Sequence, residues 1–289
     1  MKKKVKTRSI YNQMNQKVKV LAIATCFNRC QITKKSIESL VNSNPEIDFT
    51  FIIVDDNSTD GTNEMLSQYQ CVDVIKGNGE LYYSGGMRKG IEEAKKYNRT
   101  FDYCMLFNDD VSFYDNAIER IIALFHYQKA DIIVGATCDL DGKVTYAGVS
   151  KDSWFVPRCR LIFSNKAELM SCETFNANCV LIKYDVFMKL DNIDPIYTHN
   201  MGDFDYGFQA YRQGYKLYVS NFFVGMCEKT TIKGSWRDRT LSRRERIKRK
   251  NINKGTPNRA WFHYLKKNYN LVTALVYSIT PYIRILIGL

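Results

Sequence analysis

Three times along the chain an apolar run stops abruptly at a cluster of polar side chains. Val18–Phe27 ends in Thr25-Cys26-Phe27-Asn28-Arg29, Phe49–Val54 runs into Asp55-Asp56-Asn57-Ser58-Thr59-Asp60, and Cys104–Phe107 meets Asn108-Asp109-Asp110. Each run has the length and continuity of a buried strand rather than the alternation of a half-exposed one. Between the first two, Ile32, Ile37, Leu40 and Val41 lie on one face of a helix over about 31–42, closed by Asn44-Pro45. A second helix is expected from Thr62 to about Tyr69, then a short strand over Val72–Ile75. Such alternation implies right-handed crossovers and a parallel sheet. In a parallel sheet the three polar clusters share one edge, and open α/β sheets take their ligands at the carboxyl ends of their strands. Taken singly, each cluster is also an ordinary polar turn.

The glycine-rich stretch 77–90 precedes a helix expected over about Ile91–Tyr97. Glycines ahead of a helix let backbone N–H groups approach a phosphate, which makes Gly85 and Arg88 candidates for a diphosphate. The same spacing suits a plain flexible connection, and no Gly-x-x-x-x-Gly-Lys-Ser/Thr run marks a P-loop. A helix over Asn116–Tyr127 follows, with Ile118, Ile121, Ile122 and Phe125 as its core stripe, then a hairpin of Ile132–Thr137 and Val144–Val149. Phe175–Ile182 reads as a strand and leads into a helix ending near Leu190. In Gly202-Asp203-Phe204-Asp205-Tyr206-Gly207, Asp203 opens a helix that runs to Arg212, with Gly214 as its stop. An acid there caps a helix, and the same carboxylate is a candidate general base. Leu217–Val219 and Phe222–Val224 read as two short closing strands.

Charge divides the chain unevenly. Of the net +12, residues 229–289 hold 15 Lys/Arg against Asp238 and Glu245, or +13, so residues 1–228 carry −1. That basic segment calls for an acidic partner. Nine scattered cysteines form no Cys-x-x-Cys pair and no zinc spacing, and read as reduced thiols. The basic Met1–Lys6 start is followed by no apolar stretch of secretory type, so the expected location is cytoplasmic, with residues 1–17 a flexible arm.

Taken together, these stretches resemble family 2 glycosyltransferases, inverting enzymes with the GT-A fold. Val20–Arg29 is similar to that family's first strand and Thr-x-Tyr/Phe-Asn loop, and Ile53–Thr62 to its Val-Asp-Asp-x-Ser-x-Asp-Gly-Thr motif. Asn108-Asp109-Asp110 is similar to its Asp-x-Asp motif, and 202–207 to its acidic motif in a Gly-Asp-x-Asp-Tyr-Gly form found among bacterial members. The resemblance covers about 18–230 and implies a Rossmann-like, mostly parallel sheet flanked by helices. It implies that Asp56 binds the base of a nucleoside-diphosphate sugar, with Thr25, Phe27 and Asn28 beside it, that Asp109 faces the ribose, and that Asp110 holds Mn²⁺ or Mg²⁺. It also implies that Asp203 takes the proton of a hydroxyl acceptor, such as a glycan or lipid-linked sugar. Where many members carry a metal-binding His, this chain has Gly225-Met226-Cys227-Glu228, and Glu228 is the oxygen ligand available. A sugar nucleotidyltransferase would need glycine directly after the first strand, and Thr25–Cys30 has none. A nucleic-acid-binding role, which the basic tail allows, lacks any recognised RNA-binding motif.

The expected partner of 231–289 is instead an anionic membrane surface. Ten Lys/Arg lie between Lys233 and Lys254, Trp261 and Tyr264 follow, and Leu271–Leu289 is mostly apolar. Pro281 and Arg284 interrupt that stretch, so an interfacial segment is expected over a spanning helix, with packing on the domain as the other possibility.

Overall fold

The computed structural model describes residues 17–289, so the expected flexible arm falls, apart from Lys17, outside the described residues. The first half alternates as its patterning requires: β1 (Val18–Cys26), α1 (Cys30–Asn42), β2 (Ile47–Asp55), α2 (Thr62–Leu66), β3 (Val72–Lys76), α3 (Tyr82–Ala94) and β4 (Tyr103–Phe107). These strands pair in parallel in the order β3-β2-β1-β4, with Cys26 level with Asp55 and Ile23 with Leu106. The three polar clusters therefore meet at one sheet edge. Continuous apolar strands are what a sheet covered on both faces demands, and Val20–Ala24 and Phe51–Val54 are indeed wholly buried.

Beyond β4 the sheet changes direction. β5 (Ser112–Phe113), α4 (Ala117–Gln128), β6 (Ile132–Cys138) and β7 (Val144–Tyr146) come next in sequence, yet the strand beside β4 is β11 (Cys179–Lys183), antiparallel to both β4 and β6. β12 (Leu217–Met226) runs parallel to β6 and ends against β5, which completes a nine-stranded mixed sheet. Its parallel character thus belongs chiefly to the first four strands. β8 (Gly148–Lys151), β9 (Cys159–Ile162) and β10 (Thr174–Phe175) form a separate small sheet. The strand expected over Phe175–Ile182 is split between the two sheets, and Asn176, Ala177 and Asn178 are left at the turn between them. The two short strands expected after Gly214 are one, interrupted by bulges between Val219 and Gly225. Ser220 fills the break by accepting from Ala136 N at 2.9 Å.

α3 starts nine residues earlier than its pattern suggests, because its glycines are packing residues. A Cβ on Gly86 would lie 2.7 Å from Thr25 Cβ, and one on Gly90 would lie 2.6 Å from Ile23 Cγ2. Glycines four apart let the helix lie close on β1, and they read as loop only because glycine usually weakens a helix.

After α5 (Tyr184–Lys189) and α6 (Gly202–Arg212), the basic segment forms α7 (Arg243–Asn251), α8 (Asn258–Asn268) and α9 (Leu271–Leu286). It is packed, not trailing. Ala260, Tyr264, Leu265 and Ala274 are buried in the same core as Phe208 of α6 and Leu217 of β12. Among the described residues no helix is long and apolar enough to cross a membrane.

Candidate active site

A cleft of about 590 Å³ opens at the edge where the three clusters meet, and its lining includes Thr25, Phe27, Asp56, Asp109, Asp110 and Asp203. The volume lies within the range typical of small-molecule sites.

Asp56, on the loop after β2, is buried, and its carboxylate gathers the start of α3. Oδ1 accepts from Gly79 N at 2.9 Å, and Oδ2 accepts from Leu81 N and Tyr82 N, both at 3.0 Å. The Leu81 and Tyr82 amides are ones that a helix N-terminus leaves without partners, and Gly79 N belongs to the loop ahead of it. The approach is close: a Cβ on Gly77 would stand 2.5 Å from Asp56 Oδ1. A carboxylate has about four lone-pair sites. Three are used, which leaves one on Oδ1 for a ligand. Thr25 donates to Val54 O at 3.0 Å, and Phe27 is half exposed at the cleft wall. Asn28, with φ of 50°, does not line the cleft. It staples two loops by donating from its N to Ser58 Oγ and accepting from Thr59 N on Oδ1.

Asp109 and Asp110 follow β4 and share one guanidinium. Arg29 Nη1 stands 3.2 Å from Asp109 Oδ1 and 3.1 Å from Asp110 Oδ2. Thr33 of α1 donates to Asp109 Oδ2 at 3.1 Å. Burial pushes Asp109 up to about 6, Arg29 pulls it back, and the Asp110 charge adds to the rise. On the far side, Cys227 Sγ lies 3.4 Å from Asp110 Oδ1, at the place where the resemblance led one to look for a histidine.

Asp203 sits in the first turn of α6. Its Oδ1 accepts from Phe204 N at 2.9 Å and its Oδ2 from Ala177 N at 3.4 Å. Burial pushes its carboxyl up to about 6 against those two N–H donors. Tyr83 stands among the carboxylates, and its desolvation together with Asp203, Asp110 and Asp109 drives the phenol well above its ordinary range. Gly202, one residue ahead of Asp203, stands where there is no room for a side chain. A Cβ there would meet Ser84 Oγ at 2.4 Å, so α6 can cross α3 this closely only without a side chain.

Besides Asn28, three expected residues are placed elsewhere. Arg88 does not line the cleft; its Nη1 donates to Tyr197 O at 3.1 Å and Asp194 O at 3.4 Å, which braces the loop before α6. Gly85 lies inside α3 and its N donates to Thr198 O. Glu228 accepts from Leu140 N at 3.3 Å and is not among the cleft residues.

Cations that sequence reasoning did not assign stand at the cleft instead. Arg29 is one, and Lys254, from the turn between α7 and α8, is the other. Asn200 Nδ2 donates to Lys254 O at 3.1 Å and so brings this turn to the loop ahead of α6. His199 feels both cations: burial first, then Lys254 and Arg29, hold its imidazole below the ordinary value. Arg29 was open to discovery, as the last polar residue of the first cluster. Nothing local marks Lys254, which reaches the cleft only through tertiary packing.

For a divalent cation, the described residues include no group of three or more His, Cys, Asp or Glu able to hold one. Asp109 and Asp110 do fit the mode in which one or two carboxylates and substrate phosphates share a Mg²⁺ or Mn²⁺. Two buried acceptors at the cleft, Asn108 Oδ1 and His199 Nδ1, also have no partner among the described residues.

Comparison with known proteins gives the arrangement its context. A family model described as glycosyl transferase family 2 matches residues 22–190, which hold β1 to β4, Asp56 and the Asp109–Asp110 pair. The chain belongs to glycosyl transferase family 2. This family 2 chain is also similar in fold to solved glycosyltransferases. The mannosyltransferase PcManGT from Pyrobaculum calidifontis, in complex with GDP-Man and Mn²⁺, superposes with a TM-score of 0.53 at 11% identity, covering 93% of this chain and 73% of that one. TarS residues 1–349 from S. aureus, in complex with UDP, gives 0.56 at 11% identity, covering 86% and 71%. GalNAc-T7 with UDP, GalNAc and Mn²⁺ gives 0.53 at 13% identity, covering 71% and 42%. No curated protein sequence matches the family 2 chain significantly. The protein is a glycosyltransferase with a mixed α/β sheet of the GT-A type.

Proposed function

We propose that this glycosyltransferase moves a sugar from a nucleoside-diphosphate sugar to a hydroxyl acceptor with inversion at the anomeric carbon. The observation that carries the reading is the convergence in one cleft of Asp56, the Asp109–Asp110 pair and Asp203 from three separate elements. Asp56 shapes the Gly79–Tyr82 loop and offers its remaining lone pair to the nucleotide base, with Thr25 and Phe27 alongside. Asp109 faces the ribose. Asp110 is the carboxylate for a divalent cation, which when bound supplies Lewis-acid stabilisation of the leaving diphosphate. Arg29 and Lys254 add positive charge on the same side and take the place first given to Arg88.

Asp203 is the general base. An acceptor hydroxyl is a weak nucleophile, so its proton passes to the Asp203 carboxylate as the new C–O bond forms. The anomeric C–O bond to the diphosphate breaks in the same displacement, and the nucleoside diphosphate leaves. A carboxyl raised to about 6 is ionised at neutral pH and still basic enough to take a proton.

The finer setting we infer is a bacterial member with the Gly-Asp-x-Asp-Tyr-Gly motif, extending a lipid-linked or surface glycan at the cytoplasmic face of the membrane. Residues 18–230 form its catalytic domain, and 231–289 a packed basic segment that completes the cleft through Lys254. One panel tests donor and metal together: thermal shift with UDP-, GDP- and dTDP-sugars, each with and without Mn²⁺ or Mg²⁺. A melting shift with one nucleotide class, enlarged by metal, is expected; no shift with any donor overturns the reading.

A further inference from the structure

α9 is built inside out. Leu271, Val272, Leu275, Val276, Ile279, Ile283 and Leu286 are each more than half exposed, and at 100° per residue they occupy one continuous arc. The arc turned to the protein holds Thr273, Ala274, Ser278, Pro281 and Ile285. A helix stabilised only by its own core would bury the opposite set.

The surface does not stop at the helix. The loop between β8 and β9 presents Trp154 and Phe155, 64% and 70% exposed, and is fastened to the start of α9. Asn270 Nδ2 donates to Trp154 O and Thr273 Oγ1 to Phe155 O, both at 3.0 Å. Two aromatic rings and an aliphatic helix face thus form one fixed patch, assembled from stretches more than a hundred residues apart. The same elements and the neighbouring α7 carry exposed cations: Arg158 in the loop, Arg160, paired with Asp152, in β9, Arg284 on α9, and Arg243, Arg244 and Lys248 on α7.

We propose that this composite patch docks on an anionic lipid surface, a step that deepens the proposed function and rests on its membrane-facing reading. Aliphatic side chains and a Trp, with exposed Arg and Lys on the same and neighbouring elements, match the chemistry of a bilayer interface, acyl chains below and phosphates above. Charge decides against a second copy as occupant. The segment 229–289 carries +13, and self-pairing through α9 would bring two such segments together, whereas acidic headgroups complement them. The segment that docks also supplies Lys254 to the cleft, so one stretch of chain serves both the lipid surface and the site.

The test uses the full chain and variants at exposed positions. Trp154→Ser/Phe155→Ser and Leu275→Ser/Ile279→Ser are compared with the native protein in sedimentation with phosphatidylglycerol-containing vesicles and with pure phosphatidylcholine vesicles. Binding to the anionic vesicles at low salt is expected, with loss at high salt and a fall of about tenfold or more in each double variant. Melting curves and nucleotide-induced shifts should stay native in both variants. Failure of the native chain to sediment, native-like sedimentation of the Trp154/Phe155 variant, or a dimer that these variants dissociate in place of vesicle binding overturns the proposal. Nucleotide shifts without sedimentation would refute the patch alone; sedimentation without nucleotide shifts would refute the proposed nucleotide-sugar donor and not the patch.

Discussion

Lys267 Nζ donates to Asp205 Oδ2 at 2.7 Å, tying the basic C-terminal segment to the helix that carries Asp203. Asp205 is 2% exposed, and its other oxygen accepts from Asn268 Nδ2 at 2.8 Å. His263 and Lys267 also reach Asp194, in the loop that Arg88 braces. The tail is therefore a strut of the cleft.

Removing Lys267 leaves a buried carboxylate with one partner. Lys267→Met should cost about 2–3 kcal/mol in denaturant unfolding, less than for a fully buried pair because the lysine is partly exposed. Asp205→Asn should cost less than Lys267→Met, since it removes the buried charge along with the pair. The opposite order would argue against a buried, paired Asp205.

Gly202 should resist any side chain while Ser84 is present. Gly202→Ala is expected to lower the melting temperature and transferase activity together, because its Cβ would stand 2.4 Å from Ser84 Oγ. Ser84→Gly removes the atoms in the way, so the double variant should recover part of the lost stability. Independent, additive losses would show that the helix crossing is not the constraint.

The strands β1, β2 and β4 and their shared polar edge were legible because parallel strands buried on both faces leave uninterrupted apolar runs. The opening of α6 at Asp203 was legible too. Less visible was whatever packing decides: Gly86 and Gly90 read as loop but seat α3 on β1, and β11 enters the sheet from a distant stretch. Lys254 and His199 reach the cleft only in three dimensions. Trp154 and Phe155, too, take on meaning only with α9 fastened beside their loop.

Metal response separates two carboxylates that sequence alone grouped together. Asp110→Ala should remove most of the stabilisation or stimulation by Mn²⁺ or Mg²⁺, and Glu228→Ala should leave it near native, because Glu228 is engaged with Leu140 N outside the cleft. Loss of the response in the Glu228 variant would bring that residue back as a ligand.

Asp203 makes opposite demands on activity and stability. With a folded pKa of about 6 against an ordinary ~3.9, its ionised form costs about 3 kcal/mol of stability. That cost is fully present above pH 6, shrinks as pH falls toward 4, and is absent below, where both states are protonated. Asp203→Asn should therefore raise the melting temperature at pH 8 and not at pH 3.5, and native kcat/KM should fall below about pH 6 as the base is protonated. A melting temperature unchanged at pH 8 would mean that the carboxylate is not buried as an ion.

The most direct test is turnover of Asp203→Asn on the donor that the nucleotide panel identifies, with nucleotide affinity measured on the same protein. The account predicts a loss of turnover of ~10² or more with affinity for the donor retained, since Asn keeps an acceptor for Phe204 N but cannot take the proton. Native-like turnover in that variant would contradict it.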